Sequence, residues 1–414
     1  ANEPRPAGIE DGITYTSDTS VTLSMYGPGK EHVYVIGDFN DWTVSNDYAM
    51  KRDPNGAESG GEAHWWITID GLEPGQEYRF QYLVDGEIRM SDPFSAKVLS
   101  PDDRFIDNTT YPGLIAYPDE ETTGMVSVLQ TDQPTFDFSE FERPDPDELV
   151  VYELLLRDFV EESTYSTLTD TLDYLDNLGV NAVELMPVAN FDGNISWGYN
   201  PNHHLALEKS YGTPQDFKQF VDEAHQRGIA VILDVVYNHA TNRSPLIQIG
   251  VDALRGPGHA YNVFNHLNHD HPYIQYWVDR ANAHWLTEYN VDGFRFDLTK
   301  GFASNDLVAN NVDAYNADRV ENLRRMATEA WQVDPEAYLI MEHFQREEEL
   351  ELASHERNRG RQGLMFWNGM SGPYGEAAMG YLDSDADLRG AYHPNIGLSP
   401  AAGNAVTYME SHDQ

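Results

Sequence analysis

From about residue 149 onward, apolar runs of strand length alternate with amphipathic helical stretches, and four of the runs lead into an acid. Val231-Ile-Leu leads into Asp234, Phe294-Arg-Phe into Asp297, and Leu339-Ile-Met into Glu342. The last run continues to Glu410-Ser-His-Asp413. Repeated strand–helix units build a parallel sheet, either open and doubly wound or closed into an eight-fold barrel. Both place their reactive groups at the C-terminal ends of strands. One acid there is a cap for the following loop; four argue for a carboxylate cluster at a single barrel mouth.

The pattern predicts seven strands, at 150–155, 183–186, 231–237, 293–298, 338–344, 364–367 and 405–409. One helix carries Leu168, Leu172, Leu175 and Leu178 on one face and ends at Gly179. Another opens at Thr213-Pro214 as N-cap and first helical residue and ends near Gly228. Others are expected at about 272–289, 316–333 and 346–357. An eighth strand is needed to close such a barrel. Because open sheet edges invite aggregation, the natural chain is expected to continue with an eighth unit and a small C-terminal β domain.

Residues 13–98 have a different grammar, with short β-rich runs at 21–26, 32–36, 65–69 and 78–84 separated by Gly-Asp, Pro-Gly and Asp-Gly turns. The expected organisation is an immunoglobulin-like β-sandwich over 1–98, a linker over 99–147 that wraps onto the barrel, and the barrel over 148–414 with a short excursion at 240–270. Trp65, Ile67 and Ile69 alternate toward the sandwich core. Trp66 and Trp42 are either sugar-stacking platforms or packing aromatics.

Composition removes several function classes. The chain has no cysteine, so disulfides, thiolate metal sites and cysteine nucleophiles are excluded. Its 69 acids against 26 basic residues give a net charge of −43, which repels phosphate backbones and anionic membranes; neither nucleic acid nor membrane is expected as a partner. Only 6 of the basic residues are lysine and 20 are arginine. Few lysines and many acids fit a halophilic protein, in which salt screens the self-repulsion. Salt adaptation suits a secreted or periplasmic enzyme, the first expectation, and also the cytoplasm of a salt-accumulating cell.

A carboxylate cluster serves either a divalent metal or acid/base and nucleophilic work on a sugar. Arg295, His239 and His412 lie among the acids and compete with a metal, so the second reading is preferred. Glu184, inside an apolar strand, is expected to be a buried partner of a basic residue. His203 and His204 line the cleft or lie at the surface, and the run 347–351 reads as a solvated helix face.

These residues carry a family resemblance. Asp234-Val-Val-Tyr-Asn-His239, Gly293-Phe-Arg-Phe-Asp-Leu298, Met341-Glu-His343 and Ser411-His-Asp413 resemble the four ordered signature regions of the α-amylase superfamily, glycoside hydrolase family 13. Val183-Glu-Leu-Met-Pro187 and Trp197-Gly-Tyr-Asn-Pro201 resemble its two accessory regions. Gly37-Asp-Phe-Asn-Asp-Trp42 and Ser91-Asp-Pro-Phe94 resemble carbohydrate-binding module family 48 domains.

The resemblance implies a retaining mechanism with Asp297 as nucleophile, Glu342 as acid/base and Asp413 gripping sugar hydroxyls. Arg295 keeps Asp297 ionised and Asp234 orients Arg295. His239 and His412 donate to sugar hydroxyls, Tyr199 stacks on the sugar, and Lys300 reaches glucan beyond the cut. The implied substrate is starch or a glycogen-type glucan, with internal α-1,4 hydrolysis as the first reading. Debranching or branching at α-1,6 linkages is the second, and glucan binding without catalysis the third. No cofactor is required. Family members that hold calcium commonly carry Lys-His after the nucleophile, where this chain has Lys300-Gly301, so no calcium is expected at Asn238.

Overall fold

Seven strands form one parallel sheet in sequence order: Val151–Leu154, Ala182–Leu185, Ala230–Val235, Gly293–Phe296, Tyr338–Met341, Met365–Gly369 and Ala405–Tyr408. The computed structural model describes residues 1–54, 64–256, 258–355, 363–381, 386–391 and 405–413. Alternation along the strands sorts side chains onto two faces. Val183, Leu185, Val231, Leu233, Phe294, Phe296, Leu339 and Met341 belong to the large core shared with the helices. Ala182, Ala230, Ile232, Tyr338, Ile340, Met365 and Trp367 form a separate apolar cluster inside the curl of the sheet. The sheet is therefore rolled, with an inner and an outer core, as in a barrel.

The helices follow the sequence pattern with local corrections. Pro214–Gln226 starts where expected: the Thr213 side chain accepts from the Asp216 N–H, and Asp216 accepts in return from the Thr213 N–H. The long helices are Pro272–Glu288 and Ala317–Val333. The leucine-rich helix is two pieces, Tyr165–Thr169 and Leu172–Leu178, ended by Gly179 at φ 79°. Its Leu168, Leu172 and Leu175 are buried, but Leu178 is exposed. Arg346–Leu352 is shorter than expected, and residues 356 and 357 of the expected span lie outside the described residues.

The front of the chain makes two antiparallel sheets. One has the order Gly12–Ser17, Ser20–Tyr26, His64–Asp70, Lys51–Asp53; the other has Val33–Gly37, Glu77–Val84, Val126–Gln130, Val98–Leu99, with Ile88–Met90 beside Glu77–Val84. Val21, Leu23, Ile67 and Ile69 of the first share a core with Val35, Phe80 and Tyr82 of the second. Trp65 joins that core. Trp66 and Trp42 are buried as well, at 4% and 9% exposure, with their indole N–H groups donated to the Glu3 carbonyl and the Asp38 carboxylate. Neither offers a sugar platform.

The 99–147 segment is more than a linker. Its Val126–Gln130 strand pairs with Glu77–Val84 and belongs to the front sheet. Its later part straps the barrel. Phe141 stacks on His225 at 4.1 Å, the Ser139 N–H donates to Asp222 at 2.6 Å, and Arg143 bonds Asp292 at 2.5 Å just before the fourth strand. The front sheets touch the barrel through Tyr26 stacked on Tyr273 at 4.2 Å and through Ser91 bonded to His203 at 2.7 Å.

Gly293 is required by the packing of the fourth strand on the fifth, because a Cβ there meets the Tyr338 carbonyl oxygen at 2.2 Å and its nitrogen at 2.6 Å. Gly293→Ala must push two paired backbones apart, and overpacking of this kind costs about 1–3 kcal/mol or more. Denaturant titration of the variant should show that loss; an unchanged midpoint refutes the close approach.

Candidate active site

The inward-facing column that is apolar at its base becomes charged toward the C-terminal strand ends. Glu153, Glu184, Asp234, Arg295, Asp297 and Glu342 follow one another around the curl, with Glu153 in register with Glu184 and Asp234 with Arg295. Arg295 is fully buried and joins three of these acids. Its Nη1 lies 3.1 Å from both Asp234 oxygens and 2.9 Å from Asp297 Oδ1, and its Nη2 lies 3.0 Å from Glu342 Oε2. Its guanidinium rests 4.2 Å from the centre of the Trp367 ring.

Burial raises Asp297 to about 6 even against the charge of Arg295, which it shares with Asp234 and Glu342. Arg295 was expected to keep Asp297 ionised; its charge does act in that direction, against the larger effect of burial. Burial raises Glu342 further, to about 7, with Arg295 opposing and Asp297 adding to the rise. The two acids are thus ordered, with Asp297 the first to ionise. Glu184 was expected to pair with a basic residue. Instead its Oε1 has no hydrogen-bond partner among the described residues, and burial together with nearby Asp234 pushes it well up.

The other expected residues divide. Tyr199 donates its hydroxyl to Asp234 Oδ2 at 2.5 Å and has the His412 ring stacked on it at 4.8 Å, so one of its faces is already covered. His412 reaches across from the loop after the seventh strand to Glu153 at 2.7 Å. Asp413 is exposed at the rim, 3.5 Å from His412 Nε2. Lys300 is paired with Asp313 at 2.6 Å and lies 5.1 Å from the centre of the Tyr261 ring. His239 is not a free donor: Nε2 bonds the Tyr199 carbonyl at 2.8 Å and Nδ1 bonds the Asn238 amide at 2.9 Å. With burial lowering it to about 4, it is a neutral brace for the Tyr199 loop. His203 and His204 are both buried; His204 Nε2 bonds the His239 carbonyl at 3.2 Å.

Sequence reasoning missed three groups of residues. Glu153 was read only as part of a strand, although its spacing from Val151 gives it the inward parity. Trp197, Phe264 and Phe344 are half-exposed aromatics beside the site. Trp197 lies edge-on to His412, Phe264 stacks on His239 at 5.5 Å, and Phe344 lies two residues past Glu342. The third group is a knot under Glu342. Glu348, in the run read as a solvated face, is fully buried. It accepts from Arg319 Nε at 2.8 Å and from His343 Nε2 at 2.8 Å. His343 Nδ1 lies 2.9 Å from Thr299 Oγ1, and the Thr299 N–H donates to the Glu342 carbonyl at 3.0 Å. Arg319 also donates to the carbonyls of Lys300, Val312 and Ala314, which orders the loop after the fourth strand.

Glu153, Asp234 and His412 are the one group among the described residues whose ligand atoms come within 4.8 Å of one another. Their atoms are committed to Arg295, Tyr199 and each other, which makes an ion-pair knot and a poor metal cradle. Asn238 Oδ1 is buried without a hydrogen-bond partner among the described residues, but its surroundings do not fit calcium, which takes six to eight oxygen ligands. The nearby Gly301 carbonyl accepts from His266 Nε2 at 2.7 Å, and its neighbours are imidazoles of His259 and His266, kept neutral by burial.

Comparison with known proteins places similar chains among enzymes of one fold. A family model described as the alpha amylase catalytic domain matches residues 140–249. The malto-oligosyltrehalose trehalohydrolase of Saccharolobus solfataricus is 30% identical over 263 residues, 62% of this chain and 41% of that protein. The 1,4-alpha-glucan branching enzyme of Halothermothrix orenii is 25% identical over 349 residues, 78% of this chain and 52% of that protein. The crystal structure of a pullulanase from Anoxybacillus sp. LM18-11, complexed with maltotetraose, shares the fold with a TM-score of 0.62 at 21% identity, covering 88% of this chain and 54% of that one. The chain spans roughly half or less of the length of these curated relatives. A rolled parallel sheet with buried carboxylates at its C-terminal end fits a TIM-type barrel scaffold. The chain is thus similar to enzymes of the α-amylase superfamily, whose catalytic-domain model it matches over residues 140–249.

The backbone beside the two central acids is strained. Leu298, next after Asp297, has φ 51° and gives its N–H to Glu342 Oε2 at 2.8 Å. Leu298→Gly should fold at least as stably as the parent, whereas the β-branched Leu298→Val should lose stability by about 1–3 kcal/mol. Thermal melts of the two variants decide this, and equal behaviour disproves the strain at this position.

Proposed function

We propose that this chain acts on α-glucans as a retaining glycosidase, with Asp297 as nucleophile and Glu342 as acid and then base. The observation that carries the reading is the single buried guanidinium of Arg295 shared by Asp234, Asp297 and Glu342, with Glu342 the weaker acid of the catalytic pair. At neutral pH Asp297 is the ionised partner and a large share of Glu342 still carries its proton, the division of labour that retention requires. In the first step Asp297 attacks the anomeric carbon while Glu342 gives its proton to the leaving oxygen. In the second, Glu342 takes a proton from water, which displaces Asp297.

Asp413 and His412 stand at the rim to hold hydroxyls, and Asp234 holds Arg295 and the Tyr199 hydroxyl. Trp197, Phe264 and Phe344 offer the exposed ring faces for sugar stacking that Tyr199 only half offers. Lys300 contacts glucan only by leaving Asp313.

Two linkage readings stand. Internal α-1,4 cleavage follows from the signature regions. Cleavage or transfer at α-1,6 branches is favoured by the relatives, which include a branching enzyme and a pullulanase. Reducing-end assays on amylose and on a branched glucan separate them, since transfer conserves the number of reducing ends. The front sheets are read as a carbohydrate-binding-module-like immunoglobulin-type sandwich that serves as scaffold, consistent with the burial of Trp42 and Trp66. The charge of −43 supports salt adaptation and a secreted or periplasmic site of action.

The rate should be bell-shaped in pH. Activity falls below about 6 as Asp297 is protonated and above about 7 as Glu342 loses its proton. Glu342→Gln should lower the rate by ~10²–10⁴-fold and abolish the alkaline limb. Asp297→Asn should abolish new reducing ends on every glucan, and residual turnover near the parent rate contradicts the assignment. Because the Asn238 surroundings do not suit calcium, prolonged treatment with a chelator should leave both melting temperature and activity unchanged. A loss restored by calcium refutes this.

A further inference from the structure

The seventh strand is not hydrogen-bonded to the first. A side chain joins the two edges at the mouth. Glu153 faces inward near the end of the first strand. Its Oε1 accepts from His412 Nδ1–H at 2.7 Å, and its Oε2 accepts from the His412 backbone N–H at 3.0 Å. Gripping one residue by both ring and backbone fixes its position and its ring rotation together.

The proton on Nδ1 follows from the neighbours. The Tyr199 hydroxyl is 3.3 Å from Nδ1, but its hydrogen goes to Asp234 at 2.5 Å, so it shows Nδ1 only an oxygen lone pair. Nδ1 therefore faces two acceptors and must itself donate. That leaves Nε2 as the uncommitted ring atom, 3.5 Å from Asp413 Oδ1 at the rim.

We propose that Glu153 is a positioning residue that holds His412 as an imidazolium, with Nε2–H free to donate to a hydroxyl of the bound sugar. This rests on the glycosidase reading above for the sugar, but not for the pair itself. Charged and titratable groups face the ring from each element packed on it. They are Glu153 on the first strand, Tyr199 on the loop after the second, Asp234 on the third, Arg295 on the fourth and Asp413 on its own loop. The rings of Trp197 and Trp367 lie 6.2 Å away. Burial disfavours the charge on His412, yet the bond to Glu153 and the charge of Asp234 outweigh it and raise the group. Only Arg295 opposes, and its charge is shared with three carboxylates.

The test is an NMR titration of His412 in histidine-labelled full chain, assigned by loss of its signal in His412→Asn, together with kcat and KM against pH on a maltooligosaccharide. Glu153→Gln keeps the shape and one acceptor but removes the charge. The His412 midpoint should fall by about one pH unit or more. KM should rise above that of the parent as the pH is raised and recover as the pH is lowered, with kcat less affected. Glu153→Asp, which keeps the charge, should keep the raised midpoint, and it carries the titration if the glutamine variant does not fold. An unchanged midpoint in Glu153→Gln overturns the proposal. So does a loss of activity that is equal at all pH values and tracks a lowered melting temperature, because a structural staple alone behaves that way. A parent protein inactive on every glucan overturns the glycosidase reading and the sugar contact, while the midpoint still decides whether Glu153 sets the charge of His412.

Discussion

A guanidinium buried at the centre of the sheet is the constraint from which the rest of the site follows. An uncompensated charge there costs several kcal/mol, so Arg295 stays only while its carboxylates stay. Asp234, Asp297 and Glu342 come from three neighbouring strands, and one planar donor spans all three. The same sharing prevents Arg295 from pulling any one acid far down. Burial then wins at Asp297 and Glu342, but unequally, and raises Glu342 further. Glycine at 293, one inward position below Arg295, lets the fourth and fifth strands approach and sets the height at which the charge sits.

Around this centre the loops are held by buried polar knots. Arg319, Glu348 and His343 fasten the loop after the fourth strand to the loop after the fifth, and Thr299 passes that restraint to the backbone of Glu342. On the opposite side Glu153, His412, Tyr199 and Asp234 tie the first, second, third and seventh strand ends together. His239 belongs to the same scheme, since both ring nitrogens brace the Tyr199 loop. Strand ends supply rigid positions, and these knots turn flexible connections into fixed ones.

Much of the barrel and its central acids was legible in the sequence, because strand periodicity is strict. An acid at the end of an apolar run with inward parity has one place to go, and Asp234, Asp297 and Glu342 went there. Residues whose meaning depends on a partner far along the chain were not legible. Glu348 sits in an acidic run and looks solvated, yet Arg319, 29 residues away, draws it into the core. His239 has the neighbours expected of a sugar donor, but its Nε2–H already donates to the Tyr199 carbonyl, 40 residues away. Trp66 has the outward parity of a platform, and the N-terminal segment and Lys51 cover it. Glu153 was passed over because one acid in a strand carries no local signal.

By itself the sequence determined which segments are strands, which face of each strand points inward, and that acids gather at the mouth. These follow from local spacing and apolar periodicity alone. Only the tertiary structure decided how far burial lifts each acid, which histidine nitrogens already have partners, and which aromatic faces remain open. Those properties are set by burial and by hydrogen-bond partners drawn from distant parts of the chain, and no local pattern encodes them.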